Sequence, residues 1–295
     1  MFLLKDVTIL KDKKALGDLP KGKLLINTIN AHSYNTALKD ELFAEALTNG
    51  DVLIPDGASI VMACKWLKAK SQPTERIAGW DLFVHEMRKV NGNGNDNDND
   101  NGNFNDNFND NGNFNDNDNF NDNGNFNDNG NFNGNGNFNG ECAHSERKGR
   151  VMFMGSSEKV LALIKERAAK DYSNIEVLTY SPPYKPIFTE EDNRAILEAI
   201  NKADPDLLWI GMTAPKQEKW TYEHWSELDI HCHVGTIGAV FDFYAGTVKR
   251  APIWWQNHGL EWLYRLLKEP RRMWRRYIIG NTLFLWNIFK ESRIK

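Results

Sequence analysis

Outside one block, short apolar runs alternate with longer stretches whose apolar residues recur every three or four positions. Lys23 to Thr28 (KLLINT) and Asp51 to Ile54 (DVLI) read as strands, the second ending at the turn Pro55-Asp56-Gly57. Helical spacing fills Ser33 to Leu47, Ser59 to Ala69 and Trp80 to Val90. After the block, Arg150 to Met154 (RVMFM), Ile175 to Tyr180, Leu207 to Ile210 and Ile230 to Val234 repeat the strand pattern. Helices are expected over Ser157 to Ala169, Glu190 to Lys202 and Lys216 to Trp225, the second with acidic residues in its first turn. Strand and helix alternate throughout, so the expected class is α/β: a Rossmann-like, mostly parallel sheet with helices on both faces.

The exception is Asn91 to Gly140. Every odd position there is Asn, and every even one is Asp, Gly or Phe. Its turn-forming residues and lack of β-branched side chains predict a disordered insertion rather than a strand. The tract holds nine Asp and no Lys or Arg. It therefore leaves 31 acidic residues against 36 basic ones, a surplus of five positive charges on the other 245 residues. The chain thus divides into 1–90 and 141–245 as two parts of one core, 91–140 as the insertion, and 246–295 as a C-terminal appendage. Loop closure costs little per added residue, so a surface insertion of this size is compatible with folding.

Cys64, Cys142 and Cys232 share no pairing or metal spacing, which favours a reducing compartment. The opening MFLLKDVTILKDKK is not expected to be a signal peptide, and no run reaches the ~18 apolar residues of a spanning helix.

In open parallel sheets, ligands bind beyond the carboxyl ends of the strands. Five polar or Gly-rich loops fall there: Thr28 to Asn30, Pro55 to Gly57, Gly155 to Ser157, Gly211 to Glu218 and Gly235 to Gly238. Such loops suit a phosphate-bearing ligand. No Walker or GxGxxG pattern is present, which argues against P-loop NTPases and dinucleotide oxidoreductases, and no GxSxG elbow supports a serine hydrolase. Asp56 is placed either as a general base or as the cap of the following helix. Arg76 either clamps a phosphate or pairs with Glu75. His231 and His233 straddle Cys232 and are read as one face of a strand with no third metal ligand.

The last 50 residues hold 11 Lys or Arg, three Glu and five of the ten Trp. On one helix, Arg265, Arg272 and Arg275 would share a face, with Pro270 as a bend. Tyr277 to Phe289 is too short to span a bilayer but suits an interfacial helix. Binding of nucleic acid by this tail, and a scaffold organised by the Asn tract, are rival readings. Neither accounts for the ordered loop motifs.

Those motifs resemble the WecG/TagA/CpsF family of bacterial glycosyltransferases (glycosyltransferase family 26). The resemblance rests on Thr28-Ile29-Asn30, Pro55-Asp56-Gly57, Glu75-Arg76-Ile77-Ala78-Gly79 and Ala214-Pro215-Lys216-Gln217-Glu218. It continues through Gly238 to Asp242, Ala245-Gly246, Arg250-Ala251-Pro252, Gly259 to Leu266, Glu269 to Arg272, and Arg275-Arg276-Tyr277. It implies an inverting transfer of a sugar, of N-acetylmannosamine type or a related hexose or uronic acid, from a UDP-sugar to a polyprenyl-diphosphate-linked sugar. The setting implied is the cytoplasmic face of a bacterial plasma membrane, in cell-surface polysaccharide assembly. Asp56 would be the base and Arg76 a cleft residue near the leaving group. Thr28, Asn30 and Gln217 would line the donor pocket, with Gly155 and Glu218 as further binding residues. Arg265, Arg272 and Arg275 would close over the diphosphates. No cofactor, metal or nucleic acid is implied, and self-association is left open.

Overall fold

The computed structural model describes residues 2–92 and 147–294, without the side chains of Ile253, Asn257 and Arg272. Beyond Gly92, the disorder expected of the Asn tract falls outside the described residues, as does Cys142. Asn91 itself is buried at the end of the helix before it and accepts from Asn174 N. Chain on both sides of the tract builds one sheet. Its strands are β1 (Leu24–Ile29), β2 (Val52–Pro55), β3 (Gly149–Gly155), β4 (Ile175–Tyr180), β5 (Leu207–Gly211) and β6 (His233–Thr236). All pairings are parallel, in the order β2-β1-β6-β5-β3-β4.

The helices of the core are α1 (Ala31–Ala37), α2 (Glu41–Thr48), α3 (Ala58–Leu67), α4 (Gly79–Val90), α5 (Glu158–Asp171), α6 (Glu190–Ala203), α7 (Lys216–Glu223) and α8 (Gly238–Tyr244). The single helix expected over 33–47 is two, because Asp40 caps a new start by accepting from Phe43 N. The acidic first turn of α6 forms a reciprocal cap. Asp192 Oδ2 accepts from Thr189 N, and Thr189 Oγ1 accepts from Asp192 N.

Apolar alternation along the strands sorts the helices. Ile26, Ile54, Phe153 and Trp209 pack against α4, α5 and α8 on one face. Leu25, Met152, Leu208 and Val234 meet α6 and α7 on the other, where Ile29 and Leu53 meet α1, α2 and α3. The helix after β6 thus lies on one face while those after β1 and β5, its neighbours, lie on the opposite one. Chains that diverge in this way leave a crevice at the carboxyl edge of the sheet.

The tail comprises α9 (Ile253–Asn257), α10 (Glu261–Lys268), α11 (Pro270–Trp274), a π-helical segment (Arg275–Ile279) and α12 (Gly280–Glu291). The expected bend at Pro270 is a full break, with proline at the first position of α11. Helix α12 is docked on the core. Phe284 and Ile288 are buried with α1 and α3, each stabilising the fold by roughly 2 kcal/mol. The buried Glu291 accepts from Tyr34 Oη at 2.6 Å and from Lys5 N at 2.7 Å. Asn35 donates to Gly280 O and accepts from Asn287. Only the outer side of α12, with Leu285 and Trp286, faces solvent.

Candidate active site

The paired positions Ile29 and Pro55 end β1 and β2 side by side, so Asn30 and Asp56 leave the sheet together. Asp56 N donates to Ile29 O at 2.9 Å, fixing this exit. Helix α3 is capped by Gly57 with no side-chain cap bond, so the Asp56 carboxylate is not spent on the helix. It keeps 32% of its side-chain surface open.

Arg76 approaches from the loop between α3 and α4. Its Nε lies 3.8 Å from Asp56 Oδ1, while its Nη2 donates to Glu261 Oε2 of α10 at 2.9 Å. Glu75, the alternative partner, instead accepts from Lys13 N. Glu261 is in turn 3.9 Å from Arg250. Enclosure by protein raises the Asp56 carboxyl above the ordinary range; Arg76 and Arg276 oppose that rise, and Glu261 and Asp81 add to it. Burial works against the Arg76 charge, but Asp56 and Glu261 outweigh it and hold the guanidinium protonated.

Further along the edge, Asn30 serves as N-cap of α1, its Oδ1 accepting from His32 N and Ser33 N. Thr28 stands two residues earlier, half-buried near the end of β1. Gln217 is locked by its neighbours. Its Oε1 accepts from Met212 N, its Nε2 donates to Glu218 Oε1, and it packs against Gly238 of the β6–α8 turn. Glu218 is 2% exposed, and its Oε2 has no partner among the described residues. Burial raises this carboxyl to about 7. Gly155 has φ +120, and a Cβ there would meet the Gly211 carbonyl, so only glycine fits. Ser156 follows at φ +60, a conformation non-glycine residues rarely adopt, and Ser181 Oγ donates to its carbonyl. From β2 to β3 the edge crosses four strand spacings of about 4.8 Å, roughly 19 Å in all.

Of the three tail arginines, the side chains of Arg265 and Arg275 are described, on α10 and at the start of the π-helical segment. The Arg265 guanidinium lies over Phe243 at 5.3 Å, with its Nε buried. Arg275 is exposed and lies over Trp274. The Arg272 side chain is outside the described residues. The tail charges that act on Asp56 are Arg276 and Glu261. Sequence reasoning assigned neither a role, although Glu261 stands in the quoted run Gly259 to Leu266. The histidine pair does not form either. Strand β6 begins only at His233, leaving His231 exposed before it, while His233 is buried and bonded to Glu86 and Pro20 O.

The model of the glycosyl transferase WecG/TagA/CpsF family matches residues 9–96 and 129–295. The chain is also similar to two curated proteins named N-acetylglucosaminyldiphosphoundecaprenol N-acetyl-beta-D-mannosaminyltransferase. The one from Bacillus spizizenii is 26% identical over 276 residues, covering 94% of this chain and 82% of that protein. The one from Bacillus subtilis strain 168 is 24% identical over 271 residues, covering 92% and 81%. With all six strands of its described sheet, its cleft and its tail inside the matched stretches, the chain belongs to the WecG/TagA/CpsF family of glycosyltransferases.

Proposed function

We propose that the protein transfers an N-acetylmannosamine-type sugar, with inversion, from a UDP-sugar to a polyprenyl-diphosphate-linked N-acetylglucosamine. The observation that carries this reading is a half-enclosed carboxylate at a strand end, unspent as a helix cap and flanked by a guanidinium. The two curated relatives, whose names specify such a donor sugar and lipid-linked acceptor, support it.

In the reaction, Asp56 takes the proton of the acceptor hydroxyl. The freed oxygen pair attacks the anomeric carbon of the donor from the face opposite UDP. The bond between that carbon and the β-phosphate oxygen breaks, and UDP departs with its electron pair. Attack and departure on opposite faces invert the configuration. Arg76, held in the cleft, and the tail arginines offset the growing diphosphate charge. The donor lies along the edge past Thr28, Asn30 and Gln217 toward Gly155, a span that suits an extended nucleotide-sugar. Glu218 takes part by fixing the Gln217 amide.

The protein works at the inner face of a bacterial plasma membrane, where the lipid-linked acceptor is anchored. No helix among the described residues is long and apolar enough to cross a membrane. Most of the exposed large apolar side chains belong to the tail, Trp254, Trp262, Leu267, Trp274 and Trp286 among them, interspersed with basic residues. Met62 and Trp66 extend this surface onto α3, beside the exposed Lys65, Lys68 and Lys70. Apolar anchors ringed by cations suit an anionic lipid surface.

The test offers purified protein a panel of UDP-sugars with a short-chain lipid-diphosphate-N-acetylglucosamine and EDTA. Acceptor-dependent UDP release from UDP-N-acetylmannosamine is expected. Release from a different donor alone would refute the sugar assignment, and no release from any donor would refute the transfer.

A further inference from the structure

The cleft holds one guanidinium between two carboxylates, and it is not shared evenly. Arg76 makes its close bond to Glu261 at 2.9 Å and leaves Asp56 at 3.8 Å. A carboxylate gripped by a guanidinium fork has its lone pairs occupied and is a poor proton acceptor. One that merely feels the charge from a distance keeps them open. We propose that Glu261 is a positioning residue for the transfer, holding the Arg76 guanidinium off Asp56 so that this carboxylate stays open to the acceptor hydroxyl. This rests on the transferase reading above and adds to it a role for the tail within the chemistry.

The surroundings suit Glu261 to this task. It is the first residue of the eight-residue α10, where the helix dipole favours a carboxylate. Its side chain is only 15% exposed, and Arg76 is 23% exposed, so solvent screens their bond little. Arg250 stands on the other side of Glu261 at 3.9 Å and over the Trp80 ring, tying this end of α10 to α4. Besides Arg76 and Glu261, the charged groups that act on Asp56 are Asp81 of α4 and Arg276 of the π-helical segment. Asp81 is itself occupied, accepting from Ala78 N and pairing with Lys13. Neutralising Glu261 frees Arg76 to close on Asp56 and removes a negative charge near it. Both changes make Asp56 a weaker base.

The test compares wild type with Glu261→Gln and Glu261→Asp by the pH dependence of acceptor-dependent UDP release. In parallel, the Asp56 carboxyl is titrated by carbon-13 NMR in the resting protein, its signal assigned by its absence from Asp56→Asn. Glu261→Gln is expected to lower kcat on the pH plateau by roughly tenfold or more. Its acidic limb and the Asp56 NMR midpoint should both move to lower pH, with UDP binding unchanged. Glu261→Asp should recover part of the rate and part of the shift. An unmoved Asp56 midpoint in a folded Glu261→Gln protein would overturn the proposal, as would an unchanged plateau. If wild type released no UDP, the transferase reading would fall, while the NMR midpoints would still decide whether Glu261 controls the guanidinium.

Discussion

Two carboxylate–cation pairs sit at opposite edges of the same sheet. At the amino end of β6, His233 is bonded through Nδ1 to Glu86 at 3.0 Å and through Nε2 to Pro20 O at 2.8 Å, with both side chains almost wholly buried. At the carboxyl end of β2, Asp56 faces Arg76 across 3.8 Å and stays open to the cleft. The ingredients are alike and the uses differ. The first pair has its hydrogen-bonding capacity directed inward and holds β6 to α4 and the Pro20 turn. The second withholds a full bond from its carboxylate, which is what a proton acceptor requires.

That contrast is broken most sharply by removing one member of each pair. Asp56→Asn should lower kcat by about 10²–10⁴-fold, with the melting temperature and UDP affinity held near wild type. His233→Ala should instead leave turnover per folded molecule intact and cost about 3–5 kcal/mol of stability, because it strands Glu86 in the interior. Burial opposes the His233 charge, but Glu86 and Pro20 O outweigh it and raise its pKa. The stabilisation is therefore full below the ordinary histidine value of 6.5 and is lost as pH rises through the raised one. Denaturant unfolding of wild type and His233→Ala at acid and alkaline pH should show the gap narrowing toward alkaline.

Glu218 refines the comparison as a buried carboxyl with no cation acting on it among the described residues. Burial raises it from 4.5 to about 7, so the folded state binds its proton more tightly than the unfolded chain. Stability is then lost as pH rises between those values. Glu218→Gln should stabilise the protein at pH 8 by up to about 3 kcal/mol, and the gain should vanish below about pH 4.5. The smallest effect concerns the surface. Met62→Glu with Trp66→Glu should weaken sedimentation with anionic vesicles about tenfold while turnover of a short-chain soluble acceptor is unchanged. Full vesicle binding by that variant would confine the lipid surface to the tail.

The strands and the cleft loops were legible because buried parallel strands read as apolar runs and end in turn residues at the edge that binds ligands. Leu207, Leu208 and Ile210 of β5, and the Pro55-Asp56-Gly57 turn, carry that signal within a few residues. The start of β6 was misplaced by three residues, since Ile230 and Cys232 are buried and mimic strand positions. The link between Arg76 and Glu261 spans 185 residues and leaves no local pattern. The tail arginines were grouped by ideal helical spacing. The chain breaks at Pro270, between Arg265 and Arg272, so one continuous helical spacing does not run through all three, and the action of Arg276 on Asp56 has no signal in that spacing.

The most direct test of the central claim is the pH profile of acceptor-dependent UDP release by wild type and Asp56→Asn, with UDP binding measured alongside. The account predicts a wild-type acidic limb above the ordinary carboxylate range, because burial raises Asp56, and a variant that binds UDP but scarcely turns over at any pH. Wild-type-like turnover by Asp56→Asn, with the same acidic limb, would contradict it.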